Sequence, residues 1–155
     1  MALGVIHYYF EDKNELMIRC VGLYKDAFEA RCGETIATAE SVAVLQKQFI
    51  DELVLALEKH AHAHRLWYDV RAQALLDETF RPVVDDFESR MIGSLQHFFD
   101  RVVALGANPE TTEQIDALKS YLAVDSWFCY CQQQKMSGNT QASTLLRQRL
   151  ELILR

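Results

Sequence analysis

Proline and glycine are scarce in this chain, with two and six among 155 residues. Few tight turns or helix breaks are therefore available, and long helices are favoured. No segment alternates strictly between apolar and polar positions, which argues against half-buried strands. An uncharged apolar run of the roughly 18 residues that a membrane span needs is also missing, as is a basic segment leading into an apolar signal core. A cytoplasmic chain without membrane association is expected. The four cysteines, Cys20, Cys32, Cys129 and Cys131, lack C-x-x-C spacing, so they read as reduced core residues rather than a disulfide or zinc framework. Excess positive charge is absent too: the formal charge is -6 and the pI near 5.3. Phosphate neutralisation needs a clustered basic surface, so the chain is not expected to wrap nucleic acid by itself. Without a phosphate-binding glycine loop, a nucleotide fingerprint or a Ser-His-Asp or Cys-His arrangement, neither enzymatic activity nor a cofactor is expected.

What is present is globular. Hydrophobic residues make up 50% and charged residues 25%, enough for one domain with a continuous core. Apolar spacing near the 3.6-residue period predicts an all-α chain. A first helix starts at Asp12, where D-K-N-E supplies a capping carboxylate and Glu15 three residues later. Leu16, Cys20, Leu23, Tyr24, Ala27 and Phe28 then define a buried face up to about Arg31, and Gly33 is expected to end the helix. A second helix over 39–60 carries Val42, Leu45, Phe49, Leu53 and Leu57 on one side. A short helix over 65–77 follows, apolar through Leu66, Trp67, Val70, Ala74 and Leu75. The most regular stripe begins near Pro82: Val84, Phe87, Met91, Leu95, Phe98, Val102 and Leu105, with Val83, Ile92, Phe99 and Val103 on a second side. Residues 110–136 form another helix whose middle, Y-L-A-V-D-S-W-F-C-Y-C, is apolar nearly all round and should be covered on every side. Ser137-Gly138-Asn139 breaks the chain before a last amphipathic helix over 140–154, with Leu146, Leu150 and Ile153 inward.

Bulky rings with polar tips on several helices can line an apolar pocket containing oriented hydrogen bonds. Trp67, Tyr68, Arg71, Phe87, Met91, Phe98, Tyr121 and Trp127 form the expected ligand-contacting set. Arg71, one turn after Trp67, could meet an anionic group. Asp125, alone in an apolar run, is read as a structural hydrogen-bonding group. His60 and His64 would share a helix face and His62 would point away, but no cysteine completes a metal set, and the cluster is read as a polar junction between helices. The carboxylates Asp77, Glu78, Asp85, Asp86 and Glu88 read as a solvated face.

The opening A-L-G-V-I-H-Y-Y-F-E-D-K-N-E-L resembles the hallmark of TetR-type regulators, in which a recognition helix ends in glycine, an aliphatic residue and an aromatic run before an acid-capped K-x-E-L helix. Downstream, L-A-V-D-S-W-F resembles a pattern in the family's penultimate helix, with Ser126 where glycine is commoner. R-L-W-Y-D-V-R-A-Q-A-L-L-D followed by F-R-P-V-V also follows the family's effector domain. The resemblance implies a TetR C-terminal-domain-like helical bundle over 12–155 that binds a small-molecule effector and pairs as a homodimer through its last two helices. Residues 1–11 would be the remnant of a helix-turn-helix head. His7, in a place usually held by tyrosine, would contact DNA with Tyr8 and Lys13. The family has two more helices ahead of the position of Ala2, so binding to operator DNA is expected only with the complete head. Transcriptional repression relieved by ligand is the function this implies. The alternative is a headless interaction subunit that dimerises with a complete regulator.

Overall fold

The computed structural model describes residues 13–108 and 116–155, which form six α-helices with no strand among them. These are α1 (Lys13–Thr38), α2 (Val42–Lys59), α3 (Ala61–Gln73), α4 (Arg81–Ala104), α5 (Ala117–Met136) and α6 (Ala142–Ile153), with a 3-10 turn at Glu78–Phe80 before α4. The all-α expectation holds. No helix among the described residues is long and apolar enough to cross a membrane.

The helix with the clearest sequence pattern is also the centre of the core. Along α4, Val84, Phe87, Met91, Leu95, Phe98, Phe99 and Val102 are buried, each such side chain contributing about 1.5–3 kcal/mol when fully removed from water. Pro82 sits in the first turn, and Gly106, at φ +100°, supplies the left-handed residue that stops the helix. One side of α4 packs against α1 and another against α5, which is why it carries two stripes. Helix α2 buries Leu45, Phe49, Leu53 and Leu57 between α1 and α6. Its start is fixed by Ser41, whose Oγ accepts from the Val44 N–H at 3.3 Å.

Helix α1 differs from expectation in length and rotation. It runs through Gly33 to Thr38, because nothing there demands a positive φ and a helical glycine costs only about 1 kcal/mol. The residues it buries are Val21, Lys25, Phe28 and Cys32; Cys20 is exposed and Leu23 is 66% exposed. Helix α3 begins four residues earlier than expected, directly after the break at His60, and ends at Gln73. Leu75 and Leu76 consequently project into solvent at 81% and 85% exposure. Helix α5 starts at Ala117, capped by Asp116, whose carboxylate accepts from the Leu118 and Lys119 N–H groups; the expected helical stretch over 110–115 lies outside the described residues. Only one side of it is covered: Tyr121, Val124, Phe128 and Cys131 are buried, while Leu118, Leu122 and Tyr130 are exposed. Helix α6 lies across α5 and α2 and buries Leu146 and Leu150.

His7, Tyr8 and the expected Asp12 cap lie outside the described residues. Lys13 is the first residue of α1 and is exposed.

Candidate ligand cavity

Five helices, α1 to α5, line a cavity of about 40 Å³. Helix α1 contributes Lys25 and Phe28, α2 Phe49 and Leu53, α3 His64, Trp67 and Tyr68, α4 Phe87, Met91 and Leu95, and α5 Tyr121, Val124, Asp125 and Phe128. The convergence follows from helix periodicity: Lys25 and Phe28 are three apart, Phe87, Met91 and Leu95 four apart, and Tyr121, Val124 and Phe128 three and four apart, so each set shares one face. A volume of that size holds about two or three water molecules. The walls are predominantly aromatic and aliphatic, and the polar groups in and beside them are few.

Those polar groups form two sets. In the first, Arg71 joins three helices: its Nη1 donates to Asp125 Oδ2 at 2.5 Å and its Nε lies 2.8 Å from Glu88 Oε1. Tyr68 Oη donates to Asp125 Oδ1 at 3.2 Å. Asp125 therefore has the structural hydrogen bonds expected of it. The guanidinium of Arg71 is occupied by two carboxylates instead of lining the cavity. Glu88 leaves the expected solvated face for the same reason, being half-buried against Arg71.

The second set lacks ion pairs. Lys25 is 3% exposed, with Nζ 4.1 Å from the Phe87 ring centre, 4.7 Å from that of Trp67 and 5.9 Å from that of Tyr24. Burial lowers its amine to about pKa 7, an effect partly opposed by the Asp125 carboxylate. His64 is 4% exposed and stacks among Tyr24, Phe28 and Phe128 at centroid distances of 5.1, 5.9 and 4.3 Å. Its Nε2 makes no hydrogen bond, and burial, reinforced by Lys25 and His60, holds its pKa well below the ordinary imidazole value. The buried hydroxyl of Tyr24 also lacks a hydrogen-bond partner, that of Tyr121 faces the Glu88 carboxylate, and burial raises the pKa of both phenols.

Of the expected ligand-contacting residues, Trp67, Tyr68, Phe87, Met91 and Tyr121 meet in this cavity. Phe98 lies deeper along α4, against Phe49 at 4.8 Å and Phe99 at 5.2 Å. Trp127 lies on a neighbouring flank of α5, in an outward groove with Ser126, Tyr130, Leu145 and Arg149. The histidine run is divided as well. His60 and His62 are exposed, whereas His64 belongs to the core rather than to a polar junction. No group of three or more His, Cys, Asp or Glu side chains among the described residues could hold a metal ion. Sequence reasoning missed Lys25 altogether. The available signal was its i, i+4, i+7, i+11 register with Val21, Phe28 and Cys32, a stripe obscured by its own charge.

No protein-family model, curated protein or solved structure matches this chain. Its functional reading therefore rests on the cavity and on the exposed faces of the bundle.

Proposed function

We propose that this chain is the effector-binding and dimerisation body of a TetR-type transcription regulator, acting as a repressor whose DNA binding requires a complete N-terminal head. One observation carries the sensing part: an aromatic cavity lined by five helices that holds a buried lysine without an ion pair and a buried imidazole nitrogen without a hydrogen-bond partner. Unsatisfied buried polar groups are uncommon in folded proteins because each costs about 1–3 kcal/mol. A small molecule that satisfied them would be bound by apolar contact and oriented by a few polar ones.

The cavity volume of about 40 Å³ is well below the roughly 300 Å³ at which ligand pockets begin. A ligand of ordinary size must spread the surrounding helices, and it therefore favours a different arrangement of the body from the unliganded one. Such differential affinity is what a ligand-driven switch requires. Exposed Leu118, Leu122 and Tyr130 on α5, with Leu152 on α6, support a self-complementary dimer surface, since two-fold pairing would cover them. In a dimer built on α5, expansion of a cavity that α5 itself lines would alter the spacing of the two heads.

A thermal-shift screen of small amphipathic molecules, with intrinsic tryptophan fluorescence as the second readout, tests the sensing role. Ligands at about 100 times their Kd should stabilise the fold by about 2.7 kcal/mol and perturb Trp67 emission. If a broad panel produces neither a shift nor a fluorescence change, the sensing role is overturned.

A further inference from the structure

We propose that the cavity takes an amphipathic anion, an apolar chain or ring system bearing one carboxylate-type group whose oxygens accept hydrogen bonds from the Lys25 ammonium. This rests on the reading of the cavity as an effector site and names the chemical class that the site selects.

The geometry around Lys25 is that of a cation without a counter-ion. Its Nζ is packed against the Phe87 and Trp67 rings, and among the described residues it has neither an ion pair nor a hydrogen bond. The carboxylate that acts on it, Asp125, is committed elsewhere, to Arg71 and Tyr68. Buried ion pairs become favourable only with close geometry and satisfied hydrogen bonds, and a ligand carboxylate reaching Nζ would supply both the charge and the acceptors. Tyr68 and Tyr121 line the same space, but their hydroxyls already face the Asp125 and Glu88 carboxylates, which leaves Lys25 as the charged donor. Phe28, Phe49, Leu53, Leu95, Val124 and Phe128 offer the apolar surface for the remainder of the molecule. A cationic ligand would set like charges together in a low-dielectric space, and a neutral one would leave the amine as unpaired as it is now.

A pH signature follows. The groups around Lys25 are His64, Tyr68 and Arg71 from α3, Glu88 from α4, Tyr121 and Asp125 from α5, and Tyr24 and Cys32 on α1, while α2 presents only Phe49 and Leu53. Burial lifts all three phenols, pushes the Cys32 thiol up to about 12 and holds His64 well below 6.5. Lys25, lowered to about 7, is then the group among these that changes protonation between pH 6.5 and 9. Anion binding favours the ammonium, so it takes up a proton and weakens as pH rises, approaching tenfold per pH unit once the free amine is neutral.

The test is calorimetric titration of the intact protein with straight-chain carboxylates of 8 to 14 carbons and with naphthoate, each compared with its methyl ester and with the corresponding amine. The comparison is made at pH 6.5 and 8.5 and repeated with Lys25→Met. Carboxylates should bind at least about tenfold more tightly than esters or amines at pH 6.5. That preference should shrink at pH 8.5 and disappear in Lys25→Met, with ester affinity retained. Esters binding as well as carboxylates at both pH values would overturn the anion assignment while leaving the effector site standing. A carboxylate preference that persists in Lys25→Met would overturn Lys25 as the anchor. If none of the compounds binds, the anion assignment and the effector-site reading both fall. The pH comparison in the unaltered protein stands even if Lys25→Met does not fold.

Discussion

Two cation–aromatic pairs of nearly equal distance lie in different settings, one inside the bundle and one in the outward groove beside α5. Inside, Lys25 Nζ sits 4.7 Å from the Trp67 ring centre; outside, Arg149 Cζ sits 4.6 Å from that of Trp127. The contacts are alike, but their surroundings differ. Trp67 is fully buried, with Phe87 at 4.6 Å edge to face, and the lysine beside it shows the mark of desolvation in a lowered pKa. Trp127 is half-buried in an open groove of about 390 Å³, and Arg149 is exposed. An ammonium against a ring gains about 0.5–1 kcal/mol at a solvated site and about 2 or more once desolvated. The exclusion of water gives the inner pair its functional interest, and the ring contact by itself is ordinary.

Truncating the two tryptophans is the strongest way to break the comparison. Trp67→Ala should destabilise the fold by about 3–5 kcal/mol, the range for a large buried aromatic, whereas Trp127→Ala should cost less than about 1 kcal/mol. Urea denaturation of both variants measures the difference, and equal losses would show that the groove is as well packed as the cavity.

The pH dependence of stability sharpens the comparison. Because burial depresses Lys25 to about 7 from an ordinary value of 10.5, the unfolded chain binds the extra proton between those two values. The destabilisation is therefore fully present below about pH 7, and stability should rise from pH 7 to about 9 by up to about 1.4 kcal/mol per unit, above which the raised thiol of Cys32 opposes the rise. Lys25→Met should abolish that rise, while Arg149→Met should leave it intact; a pH series of chemical denaturation curves separates them.

A smaller effect on stability is expected at the outer face. Leu122→Asp should change monomer stability by no more than about 0.5 kcal/mol, as is usual for an exposed position. The same substitution should convert a dimer to a monomer in sedimentation analysis. A chain that is monomeric before substitution would remove the dimer from the proposed function.

Legibility in the sequence varied from helix to helix for identifiable reasons. Helix α4 and helix α2 were readable because their apolar residues recur without a charged residue on the inward face. Gly138 marked a real break, at positive φ, whereas Gly33 did not, since glycine permits a stop without imposing one. Helix α1 was read with the wrong rotation because a lysine occupies the centre of its buried stripe. No local rule places an amine inward when leucine and tyrosine stand beside it. The candidate cavity was partly legible for a similar reason. Aromatic residues on α3, α4 and α5 pointed to a shared interior, yet Phe98 and Trp127 carry the same chemistry and lie elsewhere.

The sequence by itself determined that this protein is all-helical and where most of its helices run, because turn residues are few and apolar positions keep a helical period. Only the tertiary structure decided which polar groups are sealed among the rings and which remain in water. Burial depends on how distant helices approach one another, and the same lysine on the same helix is solvated or desolvated according to what α3 and α4 place over it.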